Sequence, residues 1–310
     1  MGEDYPRTIL ELERRFSTEE ACRAYLRQLR WPEGFVCPRC QGAEAWAGSR
    51  GRLVCRTCRH QTSATAGTIF QDTHTPLVLW FRAAWCVTSQ KNGASAASLQ
   101  QALGLGSYQT AWTWLHKLRR AMVRPGRDQL HGTVEVDETF IGGESPDGTW
   151  DAQKAIVLVA AEEDGAGIGR IRLASAADKS RRSLTRFVQQ VVAPQSVVHT
   201  DGGGGYRGLE KLGYQHLCTV VGWGADPAKA GRLLPRVHRI ASLLKRWLLG
   251  THQGAVSVEH LDYYLDEFTF RFNRRTSRSR GKLFYRLLQQ AVQTPPATYR
   301  TIAGGRSAKT

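Results

Sequence analysis

The decapeptide VEVDETFIGG (134–143) sets three carboxylates, Glu135, Asp137 and Glu138, among Val, Thr, Phe and Ile residues that otherwise favour a half-buried strand. Side chains alternate along a strand, so Glu135 and Asp137 share one face and Glu138 takes the other. Burying unpaired carboxylates is costly, so a cation is expected beside them. Farther on, SVVHTD (196–201) is a short apolar strand that ends in Asp201 and runs into GGGG, where backbone or phosphate can approach closely. Two carboxylates brought together repel unless divalent ions lie between them. Oxygen ligands that leave water in the shell suit Mg²⁺ or Mn²⁺, and a two-metal clamp of that kind carries out phosphoryl transfer. A second chemistry lies upstream. CPRC (37–40) and CRTC (55–58) offer the four thiolates of Cys37, Cys40, Cys55 and Cys58, the tetrahedral set zinc prefers. Neither pair opens a βαβ unit, which argues for structural zinc over a redox dithiol.

These residues need elements to hold them. A capping pattern at Ser17-Thr18-Glu19-Glu20 starts a helix that WPEG (31–34) stops. Short strands are expected around the cysteines. PLVLWFRAAWCVTSQ, SAASLQQAL and YQTAWTWLHKLRRAM read as three helices, with GLGS turning between the last two. That pair resembles a helix-turn-helix whose reading helix would present Tyr108, Gln109, Thr113 and Lys117 to DNA. After a Pro/Gly linker come the strand of the opening decapeptide, two more at 154–164 and 169–176, a helix ended by Pro194, and the strand leading to Asp201. Three hairpin-linked strands, a helix and a further strand follow the order of the ribonuclease H-like fold, in which the strands of Asp137 and Asp201 lie side by side.

Such a site takes a third carboxylate from a late helix, for which LPRVHRIASLLKRWLLG (234–250) is the candidate, with Pro235 suited to its first turn. Val237, Ile240, Ala241, Leu244 and Leu248 form its core stripe. His238 and Lys245 fall on nearly the same edge, and His238 stands where a Glu is expected. Glu135 is then a candidate to supply the missing carboxylate, while Glu138 is expected to form a structural pair. FRFNRRTSRSRGK (270–282) carries Arg271, Arg274, Arg275 and Arg278 among Phe and Asn, a pattern suited to the DNA backbone.

The 310 residues carry 43 Lys+Arg against 27 Asp+Glu, a net charge of +16, which points to a polyanion such as nucleic acid. Residues 1–131 hold 18 basic and 10 acidic groups (net +8), and residues 225–310 hold 16 and 5 (net +11). Residues 132–224 hold 9 and 12 (net −3), so the acidic centre sits between basic arms. A purely structural nucleic-acid binder would not need that centre. The longest apolar run, AIVLVAA (155–161), is too short to cross a bilayer, and no secretory leader is seen. The expectation is a cytoplasmic protein with reduced thiols, in which Cys22, Cys86 and Cys218 are core residues.

The stretches RWPEGFVCPRC, SYQTAWTWLHKLRRAM, VEVDETFIGG, HTDGGGGY and SLLKRWLLGTHQGAVSVEHLDYYLDEFTFRFNRR together resemble the insertion-sequence transposases of the IS fifteen-ninety-five family, with its ISXO-two-like DDE catalytic domain and N-terminal zinc ribbon. The resemblance implies a DDE-type recombinase in which Asp137, Asp201 and Lys245 match the pattern, the Lys lying seven positions beyond the third acidic position. That position is His238, a departure from the common Glu. A neutral imidazole favours transition metals, so a stronger preference for Mn²⁺ over Mg²⁺ is expected. The organisation read from the chain is a helical segment (1–35), a zinc ribbon (36–75), a helix-turn-helix-like module (76–124), a linker (125–131), a ribonuclease H-like catalytic domain (132–294) and a frayed tail (295–310). The implied function is binding of terminal inverted repeats, then strand cleavage and strand transfer by a dimer or higher assembly on DNA. The rival readings are a DNA-binding regulator or inactive copy, and a resolvase-like nuclease that cuts branched DNA without joining ends.

Overall fold

The computed structural model describes residues 3–124, 126–142, 154–219, 233–254 and 256–304. They form two compact units: the chain up to Arg124 together with Thr276–Ala303, and the intervening chain to Arg275.

In the first unit, Thr8 and Thr18 open α1 (Ile9–Arg15) and α2 (Glu19–Arg30) by accepting from the amides of Glu11 and Ala21, which satisfies N–H groups the helices cannot. The ribbon follows as an antiparallel sheet of β1 (Ala45–Ala47), β2 (Leu53–Cys55) and β3 (Gln61–Thr62) in that spatial order. Next come α3 (Leu77–Ser89), α4 (Ala96–Leu103) and α5 (Tyr108–Ala121). A Ser95/Ser98 capping box starts α4, Gly104 ends it at φ +62°, and Ser107 caps α5 through the Thr110 amide. This is the short helix, glycine turn and longer helix that the pattern predicts.

The second unit is mixed α/β. β4 (Thr133–Ile141), β5 (Ala155–Asp164) and β6 (Gly167–Ala176) form an antiparallel meander. The chain crosses through α6 (Arg181–Val191) to β7 (Val197–Thr200) and then β8 (Gln215–Cys218), both parallel to β4. The spatial order β6-β5-β4-β7-β8 is consistent with a ribonuclease H-like core. On one face α6 packs Leu184, Phe187 and Val188 against Val134, Val136 and Val198. On the other, α7 (Pro235–His252) and α8 (Leu261–Phe272) bring Val237, Ile240, Leu244 and Phe268 against Val157, Val159 and Leu173. Ala241, expected in the α7 stripe, is only half-buried.

Three sequence expectations change. The second unit closes at Arg275, not at 294: α9 (Arg280–Ala291) belongs to the first unit, where Phe284 sits among Phe16, Phe81 and Trp85. Its amphipathic pattern shows that it buries a face, not which face it meets. The tail from 295 is not wholly frayed, because α10 (Tyr299–Ala303) buries Ile302 completely; residues 305–310 lie outside the described part. Cys22 is a core thiol, pushed up to about 12 by burial, but Cys218 is exposed at the end of β8. The opening decapeptide is a strand to Ile141, and Gly143 lies outside the described residues.

Candidate active site

Register brings the two aspartates together. β4 and β7 pair in parallel as Thr133↔Val197, Val134↔Val198 and Glu135↔His199. Two residues beyond the last pair, Asp201 follows the end of β7 on the Asp137 side of the site, close enough for its charge to act on Asp137. Asp201 ends the strand in a tight turn, its Oδ1 accepting the Gly203 amide at 2.8 Å, with Gly202 at φ +82°. Gly205 answers to packing: a Cβ there would lie 2.5 Å from Leu184 Cδ1 and 3.2 Å from the Lys179 carbonyl. Behind the turn, Thr200 Oγ1 accepts the Gly202 amide and meets His216 Nε2 at 2.9 Å, while His216 Nδ1 lies 3.5 Å from Glu210. Thr200 is wholly buried, so this chain of contacts braces the loop that carries Asp201.

Helix α7 brings His238 near Asp137. His238 Nε2 is 3.9 Å from Asp137 Oδ2, and the imidazole is 43% exposed against 17% for the Asp137 side chain. Asp137 is pushed up to about 7, chiefly by burial and further by the like charges of Glu138 and Asp201, although the Glu138 amide and Lys179 oppose the shift. Carboxylates crowded so that one resists ionisation provide the electrostatics a divalent cation would relieve. By donor type Asp137, Asp201 and His238 suit a divalent ion, although among the described residues their ligand atoms do not all draw together as closely as those of the ribbon cysteines.

The other two carboxylates of the opening strand have different work. Glu138, on the α6 face, accepts from Tyr206 Oη at 3.0 Å and pairs with Lys179 at 3.5 Å, the structural pairing expected. Glu135 is not available as a substitute ligand. It is fully buried and accepts the Arg236 and Val237 amides at 2.8 and 3.0 Å and Arg236 Nη1 at 2.8 Å. Glu135, Glu163 and His199 approach one another closely enough for a metal trio, but the Arg236 guanidinium already lies there, 3.2 Å from Glu163. His199 meets Thr219 Oγ1 at 2.7 Å. The sequence reading missed Arg236. The signal was present: with Leu at the N-cap and Pro235 at N1, the helix has no acceptor of its own.

Lys245 is exposed on α7, two turns beyond His238, and makes no ion pair among the described residues. Of the residues expected to face DNA from α5, Tyr108 and Gln109 are exposed at its first turn. Thr113 spends its hydroxyl on the Gln109 carbonyl at 2.7 Å. Lys117 is half-buried with Nζ 5.9 Å from the Trp80 ring centre, and burial lowers its pKa. The arginines after α8 do not form one free cluster. Arg274 stacks on Phe270 and donates to its carbonyl, while Arg275 stacks on Phe272 and donates to the Ile168 and Gly169 carbonyls. Arg271 is half-buried, and Arg278 is exposed beyond the end of this unit.

The four ribbon cysteines converge as the spacing predicts. Cys37 and Cys58 sulfurs are 3.7 Å apart, and those of Cys40 and Cys55 are 3.5 Å apart. Tetrahedral zinc with bonds near 2.3 Å would place sulfurs ~3.8 Å apart, so the set suits structural zinc. Each knuckle turns through one left-handed residue, Gln41 (φ +62°) or Arg59 (φ +61°). Amides of Cys58 and Thr57 point at Cys55 and draw its thiol down to about 6, toward the thiolate a metal binds.

Residues 129–273 match the ISXO2-like transposase domain, and residues 17–61 match the transposase zinc-ribbon domain. The chain is 28% identical over 288 residues to an uncharacterized protein in transposable element ISH50 of Halobacterium salinarum, covering 86% of this chain and 94% of that relative.

Proposed function

We propose that this chain, an insertion-sequence transposase that carries an ISXO2-like domain behind a zinc ribbon, is a DDE-type enzyme that binds terminal inverted repeats, cleaves a DNA strand at the element end and transfers it to target DNA. The observation that carries the chemistry is Asp137, half-buried among like charges on a strand beside that leading to Asp201, with His238 3.9 Å away on the facing helix. Asp137, Asp201 and His238 would hold Mg²⁺ or Mn²⁺, which supplies Lewis-acid stabilisation of phosphoryl oxygens and acidifies an attacking water or 3′-hydroxyl.

The protein's own groups set the geometry. Asp137, in the middle of β4, and Asp201, just past the end of the neighbouring β7, present acceptor oxygens that the Glu138 and Gly203 amides brace. His238 adds a neutral nitrogen and leaves the site one negative charge poorer than a Glu would. Partial burial of Asp137 strengthens the electrostatic contacts made there. Lys245 is suited to a phosphate near the cleavage point. The ribbon and the α4–α5 pair would read the element ends through Tyr108 and Gln109, exposed at the first turn of α5, and the exposed Arg278 would add a contact to the DNA backbone; Thr113, Lys117, Arg274 and Arg275 are engaged within the protein. Paired ends require two sites, hence a homodimer or higher assembly on DNA, acting in the cytoplasm. Among the described residues no helix is long and apolar enough to cross a membrane.

A strand-transfer assay on oligonucleotides bearing the element's ends tests the reading. Asp137→Asn and Asp201→Asn are expected to abolish cleavage and joining while retaining DNA binding. His238→Glu is expected to shift the optimum from Mn²⁺ toward Mg²⁺. Absence of cleavage in the parent protein, with DNA binding intact in both aspartate variants, would leave only a DNA-binding protein, and cutting without joining would indicate a resolvase-like nuclease.

A further inference from the structure

We infer that Glu135 is a positioning residue for the metal site: it anchors the first turn of α7 to β4 and so sets His238 against Asp137. The inference rests on the ligand assignment above.

A helix N-terminus presents amides with no partner inside the helix. In α7 the N-cap is Leu234, whose side chain cannot accept, and Pro235 has no N–H to offer. The next two amides, those of Arg236 and Val237, are both taken by Glu135 Oε2, a carboxylate from a different element. Negative charge at this end of a helix is favoured by the helix dipole as well as by the hydrogen bonds. Glu135 Oε1 binds the Arg236 guanidinium, which also reaches Glu163 Oε1 and the Gly165 and Gly167 carbonyls at 2.7 and 2.9 Å. The start of α7 is thus fixed from β4 and from the β5–β6 turn at once. His238 is the next residue after Val237, and Asp137 is two positions from Glu135 on the same strand face. One buried carboxylate therefore sets the distance between two ligands that lie about a hundred positions apart in sequence. Among the described residues Glu135 makes no hydrogen bond or ion pair to either, so its effect passes through the helix.

That indirect route makes the test a coupling measurement. Mn²⁺ affinity, read by electron paramagnetic resonance of the free ion, is compared in the full chain, Glu135→Gln, His238→Ala and the double variant, each checked for folding by circular dichroism. Glu135→Gln is expected to weaken Mn²⁺ binding about tenfold, the scale on which groups supporting metal ligands act. The double variant is expected to bind no more weakly than His238→Ala alone, because a residue that acts by placing His238 has nothing left to place. Should Glu135→Gln fail to fold, Arg236→Lys replaces it in the same cycle; it keeps the helix amides on Glu135 but loosens the hold on the turn. Independent, additive losses would overturn the inference, as would unchanged affinity in the Glu135 or Arg236 variant. Asp137→Asn separates the two levels. Lost Mn²⁺ binding there with an additive cycle sinks only the role of Glu135, whereas unchanged binding overturns the ligand assignment and the inference with it.

Discussion

Three acidic residues within four positions of one strand have three different functions. Glu138 is neutralised by Lys179 and Tyr206, Glu135 by Arg236 and two helix amides, and Asp137 keeps an unsatisfied charge beside Asp201. That residual charge has a consequence for stability. The carboxyl of Asp137 is raised from 3.8 in the unfolded chain to about 7 in the fold. Its contribution is therefore fully favourable below pH ~4 and is lost as pH rises through 7. In metal-free protein, Asp137→Asn is expected to match the parent near pH 4 and to be more stable above pH 7. The gain is at most about 4 kcal/mol, and less for a side chain that remains partly in water. Denaturant unfolding at the two pH values reads it directly. A stabilising substitution that destroys activity would mark Asp137 as retained for chemistry.

At the scale of elements, the ribbon and α7 illustrate two ways of replacing missing local support. β1, β2 and β3 contain 3, 3 and 2 residues, too little sheet to hold itself without the four thiolates that tie the knuckles together. One zinc per chain is the expected metal content. Cys40→Ser should lose that zinc and leave residues 37–62 open to protease, as should chelation of the parent protein. Retention of zinc by Cys40→Ser would contradict a four-cysteine site. Helix α7 lacks a cap of its own and takes one from β4, so a secondary-structure contact doubles as alignment of the site.

Over the whole molecule, the chain leaves the first unit after Arg124, builds the second, and returns at Thr276 to complete the first with α9. The return depends on close backbone contact. A Cβ at Gly281 would lie 1.7 Å from the Pro6 carbonyl oxygen, a clash that no rotamer relieves. Gly281→Ala is therefore expected to destabilise the first unit by about 1–3 kcal/mol, the usual cost of overpacking. Thermal unfolding followed in the first unit's tryptophans would register it. Wild-type stability in that variant would mean that α9 is not docked through this contact.

Much of this protein is written in local pattern. Paired CxxC motifs specify the ribbon because thiolate chemistry and spacing suffice. Alternating or continuous apolar runs mark β4 to β7, and period-3.6 hydrophobicity marks the helices from α2 to α7, because those faces must be buried. The adjacency of the strands that carry Asp137 and precede Asp201 could be expected from the strand order of the ribonuclease H-like fold. Tertiary structure alone decided the partners. Neither the cap that Glu135 gives α7, the guanidinium filling the Glu163–His199 cluster, the inward packing of Lys117, nor the return of α9 to the first unit follows from a window of sequence. Each depends on which distant polar group or apolar face arrives to meet an unsatisfied one, and that is settled only when the whole chain folds.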